Sequence, residues 1–266
     1  MSNPGYEAEV ENKRMPLLQH LIELRRRLIW SLLAFIVAFG VGFYFSNQIF
    51  DFLVQPLADV WAGRTGKRLI YTGMQEKFFT DVKVGMFAAA FFSFPFVASQ
   101  IWMFVAPGLY RNERRAFLPF LLATPILFLV GAAFVYYVMM PFAWRFFAGF
   151  EQLATQPGEL SIVLEPKVNE YLSLVMGLIF AFGLCFELPV ALALLTRVGL
   201  VTPEGLAEKR RYAIVLAFIV AAILTPPDPL SMMSLAIPII FLYEISIICS
   251  KVIVRRLDAQ IAAEGA

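Results

Sequence analysis

Long apolar runs alternate with short charged stretches along this chain. Leu28–Phe45, Val84–Val105 and Ala116–Met140 carry no charge. Tyr171–Leu195 carries one acid, Glu187, and a run from about Leu230 to Ile248 carries Glu244. Tyr212–Leu224 is apolar but short. A helix needs roughly 17–25 apolar residues to cross a bilayer. Four runs meet that at once, and the short one does so by borrowing its flanks or sitting where the bilayer is thin. The pattern predicts an all-α, polytopic membrane protein with six transmembrane helices, at about 28–45, 84–105, 116–140, 171–195, 211–226 and 230–250. It predicts a single membrane domain over 1–266, with 1–27 as a cytoplasmic lead-in.

The charges between the runs orient them. Lys13, Arg14 and Arg25–Arg27 precede the first run, and Arg111, Arg114 and Arg115 follow the second. Arg197 and Lys209–Arg211 follow the fourth, and Lys251, Arg255 and Arg256 close the last. These are 15 of the 22 basic residues, and the other 7 fall on the opposite side. Short loops rich in Lys and Arg stay cytoplasmic. The expectation is therefore N-in and C-in, with outer loops at about 46–82, 141–170 and 225–229. The first 26 residues are too charged for a cleavable leader, so the first helix is expected to act as a retained insertion signal.

Composition agrees and narrows the function. The chain is 60% hydrophobic and 16% charged, against about 45–50% and 25% in soluble domains. The net charge of +2 needs no nucleic acid to explain it, because topology accounts for the basic residues. One histidine leaves no His-based metal site or catalytic triad. Cys185 and Cys249 lie inside apolar runs and read as packed thiols. No Gly-rich phosphate loop appears. The sequence thus predicts no cofactor, and none of these motifs points to an enzyme.

Two local patterns stand out. Leu17, Leu18, Leu21, Leu24 and Leu28 recur at three- and four-residue spacing, so Met15–Arg27 reads as an amphipathic lead-in. Pro95, Pro119, Pro125, Pro189 and Pro238 fall within runs. Each frees a carbonyl and can bend its helix, which predicts a curved, concave bundle. The outer stretch Ser46–Val82 is long enough for short interfacial helices, and Gly63–Gly66 reads as a turn.

Four acids bear on function. Glu23 and Glu113 lie among arginines on two cytoplasmic segments, each beside a helix start. Their plain reading is local pairing with Arg25–Arg27, or with Arg111, Arg114 and Arg115, at little energetic value. Glu187 and Glu244 lie within apolar runs, where an ionisable group costs at least a few kcal/mol and must face a partner or cavity. They are either acids hydrogen-bonded within the bundle or the lining of a polar pocket for a partner helix.

Four words recur in order: HLIELRRRL at His20–Leu28, FVAPGLYRNERR at Phe104–Arg115, FGLCFELPVAL at Phe182–Leu192, and LTPPDPLS at Leu224–Ser231. Together with six runs they resemble the TatC family, the multi-spanning receptor subunit of the twin-arginine protein translocase. The resemblance extends from about Leu17 to Arg256. It implies binding of twin-arginine signal peptides of folded proteins, recruitment of single-span TatA and TatB partners, and export driven by the proton-motive force. It also implies a prokaryotic plasma-membrane protein that forms a homo-oligomer within a larger complex. By resemblance, Glu23, Glu113, Arg25 and Phe104 contact the signal peptide. Of the two acids that could line an intramembrane pocket for a partner, Glu187 and Glu244, the resemblance favours Glu187, and it has Pro56 and Asp228 shape the outer face. A ligand with two guanidiniums suits carboxylates, which match their planar donor forks. The competing expectation is a proton-coupled transporter of a small solute using Glu187 and Glu244. That reading lacks the repeat symmetry such folds show. A purely structural scaffold would not need acids on two cytoplasmic segments.

Overall fold

The computed structural model describes residues 4–62, 67–105, 114–152, 160–161, 163–225 and 229–264. The described residues are helical apart from the loops between helices and one isolated bridge. In order these are α1 (Pro4–Tyr44), α2 (Ser46–Val60), α3 (Glu76–Val105), α4 (Arg114–Phe134), a π-helical turn (Val135–Met139), α5 (Met140–Ala148), α6 (Val168–Phe186), α7 (Leu188–Arg197), α8 (Pro203–Glu208), α9 (Arg210–Leu224) and α10 (Pro229–Glu264). Five helical stretches are long and apolar enough to cross a membrane: Leu18–Tyr44, Glu76–Phe104, Pro119–Ala148, Val168–Arg197 and Met232–Arg256. The fifth sequence run becomes α9, with 15 residues. At 1.5 Å per residue that is about 22 Å, short of the roughly 30 Å of hydrocarbon.

The helices outrun the apolar segments that announce them. α1 begins at Pro4, so the lead-in and the first span are one continuous helix. α3 begins at Glu76, eight residues before its apolar run. The third span continues through the π turn and α5 to Ala148, where the sequence suggested a loop from 141. Backbone hydrogen bonding does not stop at the membrane surface, so the hydropathy edge is not a helix end.

The prolines act unequally. α3, α4 and α10 run through Pro95, Pro119, Pro125 and Pro238. The fourth span breaks at Glu187, two residues before Pro189. Pro189 has no N–H for the Cys185 carbonyl. Glu187 instead turns with φ −75° and ψ −15°, and its N–H bonds the Leu184 carbonyl at 3.0 Å.

Glycines set the closest helix approaches. At Gly42 an added Cβ would lie 2.8 Å from the Ala88 Cβ, so α1 and α3 nearly touch there. At Gly131 it would lie 2.7 Å from the Phe182 carbonyl oxygen, and at Gly183 2.4 Å from the Phe128 ring. Small residues allow this intimacy, which drives helix association where lipid tails are as apolar as the side chains. The packed interior runs through Phe128, Val135, Met140, Leu172, Val175 and Phe182, all under 2% exposed. Many large apolar side chains elsewhere are exposed, Phe92, Leu129 and Phe241 among them, as expected for a lipid-facing surface.

α2 is seated by two tyrosines. Pro56 sits inside α2 and is buried. Lacking an N–H, it leaves the Phe52 carbonyl without its helical donor. The Tyr136 hydroxyl donates to that carbonyl at 2.8 Å, and its ring stacks on Phe52 at 4.3 Å. The Tyr171 hydroxyl donates to the Leu53 carbonyl at 3.0 Å. Tyr136→Phe should leave the Phe52 carbonyl unsatisfied and cost about 1 kcal/mol or more. In a Pro56→Ala background the helix can supply its own donor, so the same change should cost less. Thermal unfolding of the four proteins in one detergent checks this, and equal losses in both backgrounds would contradict it.

The loop that leads into α3 is knitted to the segment before α6. The Ile70 N–H donates to the Pro166 carbonyl at 3.2 Å, and the Val168 N–H to the Ile70 carbonyl at 3.1 Å. Lys67 pairs with Glu151, and Arg68 with Glu165 at 3.3 Å. The Glu76 carboxylate accepts the N–H groups of Thr72 at 2.7 Å and Gly73 at 3.2 Å.

Candidate functional site

The HLIELRRRL stretch lies on α1 beside the far end of α3. The His20 ring stacks on Phe104 with centroids 4.2 Å apart and planes 17° from parallel. Three residues on, Glu23 shares that helix face. Arg27 follows at i+4, and its Nε and Nη2 donate to one Glu23 oxygen at 3.0 and 2.5 Å. Glu23 and Arg27 are half-buried, whereas Leu24, Arg25 and Arg26 are exposed. Leu18, Leu21, Leu24 and Leu28 are exposed too. Along His20–Leu28 only Glu23 and Arg27 are partly covered, and the leucines stand outward with Arg25 and Arg26, unlike the apolar face of a helix on a soluble core.

Of the expected signal-contacting residues, Phe104 meets α1 at His20, one helical turn before Glu23. Arg25 is exposed on α1. Glu113 lies outside the described residues, as do Asp228 and the Gly63–Gly66 turn. Pro56 is buried in α2, far along the chain from the signal-contacting set, where it creates the carbonyl that Tyr136 seals.

The two intramembrane acids have different surroundings. Glu187 sits at the break between α6 and α7. Both its carboxylate oxygens are buried, no ion pair reaches them among the described residues, and the hydroxyl of Thr124 is the donor that faces them. Thr124 of α4 stands beside it, buried, and accepts the Trp102 indole N–H at 3.0 Å. This gives a small polar island of α3, α4 and α6 groups within an apolar bundle. Glu244 of α10 is instead held by Arg210 at the start of α9, with Nε and Nη2 at 2.8 and 2.9 Å from its oxygens. The pair is half-exposed. Glu244 is therefore committed to a cation, and Glu187 is not.

Sequence reasoning missed His20, Arg210, Thr124 and Tyr136 as partners. Only Arg27 had a visible signal, its i+4 spacing from Glu23.

A family model described as Sec-independent protein translocase protein (TatC) matches residues 19–238. The Sec-independent protein translocase protein TatC of Magnetococcus marinus is 49% identical over 258 residues, covering 97% of this chain and 92% of that protein. The one from Rickettsia prowazekii is 44% identical over 230 residues, covering 86% and 90%. Among solved structures, a crystal structure of the twin arginine translocase receptor TatC superimposes with a TM-score of 0.76. It is 38% identical and covers 88% of this chain and 99% of that one.

Proposed function

This chain belongs to the TatC family of Sec-independent protein translocase proteins, and from that premise we propose that it is the receptor that binds twin-arginine signal peptides of folded proteins. It is a membrane component of a protein translocase. The observation that carries the receptor reading is the state of Glu23. This acid holds a guanidinium, that of Arg27, on the helix face that meets Phe104. A signal-peptide arginine would take the place of Arg27, and the aromatic at the membrane end would border the residues that follow. Glu113 on the neighbouring cytoplasmic segment would take the second arginine, with Arg25 steering the lead-in. The direct test is site-specific photocrosslinking of a labelled twin-arginine peptide from positions next to Glu23 and Glu113. Labelling that survives replacement of both ligand arginines would overturn the reading.

The receptor would act without covalent chemistry, in a homo-oligomer with single-span TatA- and TatB-type partners, driven by the proton-motive force. Its setting would be a prokaryotic plasma membrane. Six spans with both termini inside fit this role, α9 crossing as a short helix where the bilayer thins. Reporter fusions after Arg64 and Gln156 should read as external, and those after Arg111 and Glu204 as cytoplasmic. A cytoplasmic signal at Gln156 would refute that topology. Asp228 would help shape the outer turn between α9 and α10.

Glu187 supports the partner-binding half of the proposal. A buried carboxyl with no cation and only the Thr124 hydroxyl beside it is costly in lipid and favours a further polar group on an incoming helix. Glu187→Ala should leave insertion intact but weaken co-purification with TatA- and TatB-type partners. Glu187→Gln should be milder, because the amide still hydrogen-bonds. Wild-type co-purification for both would remove the pocket. The solute-transporter alternative needed Glu187 and Glu244 to act together, and Glu244 is taken by Arg210.

A further inference from the structure

We infer that the face formed by α2, α3, α4, the π turn and α5 binds one phospholipid with a zwitterionic, primary-ammonium headgroup of the phosphatidylethanolamine type. Two cavities lie end to end on that face and share Phe52, Tyr136 and Tyr137. One has a volume of about 460 Å³ and is almost wholly apolar, with Phe87, Phe91 and Leu129 in its wall. The other, of about 660 Å³, is polar and contains Gln55, Asp59 and Arg145.

The third span and α2 present these cavities in register, and α3 closes the apolar one with Phe87, Phe91 and Phe92. Along α4, the π turn and α5, the lining positions are Leu129, Ala132, Tyr136, Pro141 and Arg145, at three- to five-residue intervals on one face. Along α2 the same order holds, from Ile49 and Phe52 to Asp59. Each stripe is apolar at one end and charged at the other. Leu129 and Arg145 are sixteen residue steps apart, about 24 Å of helix. That is close to one leaflet with its headgroups, about half of a 40–45 Å bilayer. The apolar slot favours an acyl chain over a helix. A helix is about 10–12 Å across, so 460 Å³ would hold only about one turn of it.

The charges at the mouth choose the headgroup. Among the described residues, neither Arg145 nor Asp59 forms an ion pair, and both are exposed. Gln55 donates to one Asp59 oxygen at 2.7 Å and leaves the other open. A guanidinium suits a phosphate, bound bidentately. A carboxylate beside it repels a headgroup of net negative charge and accepts N–H donors. A primary ammonium offers three such donors, like lysine, and a quaternary choline offers none. The pair Arg145 and Asp59 therefore selects phosphate and ammonium together.

The test uses the full-length protein in phosphatidylcholine nanodiscs with a trace of phosphatidylethanolamine carrying a diazirine on its acyl chain. After irradiation, label should concentrate on peptides containing Leu129–Tyr137 and Gln48–Leu53. Unlabelled phosphatidylethanolamine should displace it at least threefold better than phosphatidylcholine or phosphatidylglycerol. Asp59→Asn and Arg145→Gln should each reduce labelling at least threefold, with thermal unfolding unchanged because both side chains are exposed. Labelling spread evenly over the lipid-facing surface would overturn the site, as would indifference to both variants. Strongest competition by phosphatidylglycerol would overturn the headgroup. Crosslinks from Phe92→Cys and Leu129→Cys to a co-expressed partner helix, with loss of lipid label, would assign the face to a protein instead.

Discussion

Glu23→Ala and Glu113→Ala are each expected to weaken binding of a twin-arginine peptide by about tenfold or more. Two guanidiniums call for two carboxylates, and a charge-assisted contact left unmade costs roughly 1.5–3 kcal/mol. The Glu23–Arg27 bond sharpens the expectation. As an i,i+4 pair near a helix surface it contributes only about 0.3–0.5 kcal/mol, so an incoming arginine that is better desolvated displaces it. Arg27→Gln should then leave Glu23 free and raise peptide affinity by about twofold. If the pair were structural alone, Arg27→Gln would lower affinity or leave it unchanged. Replacing a ligand arginine by lysine should weaken binding, because lysine lacks the fork. Double-mutant cycles between each glutamate and each ligand arginine separate the cases. Coupling within one glutamate–arginine combination identifies a contact. Strict additivity in every combination, or unchanged binding in both alanine variants, would confine these acids to their own arginine neighbours.

What the sequence revealed and what it hid follow from how far each interaction reaches along the chain. Apolar runs such as Ala116–Met140 are legible because lipid demands them residue by residue. The Glu23–Arg27 contact is legible for a similar reason, since i+4 neighbours must meet on a helix. α2 was foreseen only as room for a short helix, because Asp51, Asp59 and Pro56 interrupt any apolar period. Its stability comes from Tyr136 and Tyr171, more than eighty residues away, which seal the carbonyls of Phe52 and Leu53. No local pattern announces such a bond. The same holds for His20 on Phe104 and Arg210 on Glu244. Glu187 and Glu244 look alike as acids in apolar runs, and only the fold separates the buried acid without a cation from the one paired with Arg210. The break at Glu187 was half visible, because Pro189 marks the helix but cannot say which residue yields.

Gly183→Ala is expected to loosen the α4–α6 crossing enough to lose most monodisperse protein on purification. Its new Cβ would stand 2.4 Å from Phe128 Cε2 and 2.6 Å from Cδ2. That ring cannot step aside. Phe128 is fully buried, stacks on Phe94 at 3.8 Å, and is flanked by Phe91 at 5.2 Å and Phe180 at 5.7 Å. Overpacking of this kind costs about 1–3 kcal/mol, and a larger residue such as leucine should prevent assembly outright. Gly131→Ala should be similarly harmful, since its Cβ would meet the Phe182 carbonyl oxygen at 2.7 Å, a backbone atom. Gly40 and Gly177 serve as controls. Nothing lies within 4 Å of a Cβ at either, so alanine there should be neutral or stabilise by up to about 1 kcal/mol through helix propensity. Phe128→Leu should rescue Gly183→Ala in part, because it removes the ring atoms that collide, yet should not rescue Gly131→Ala. Size-exclusion profiles and thermal unfolding of these variants in one detergent decide the matter. Equal behaviour of Gly183→Ala and Gly177→Ala would mean that the α4–α6 crossing has slack where the structure shows contact.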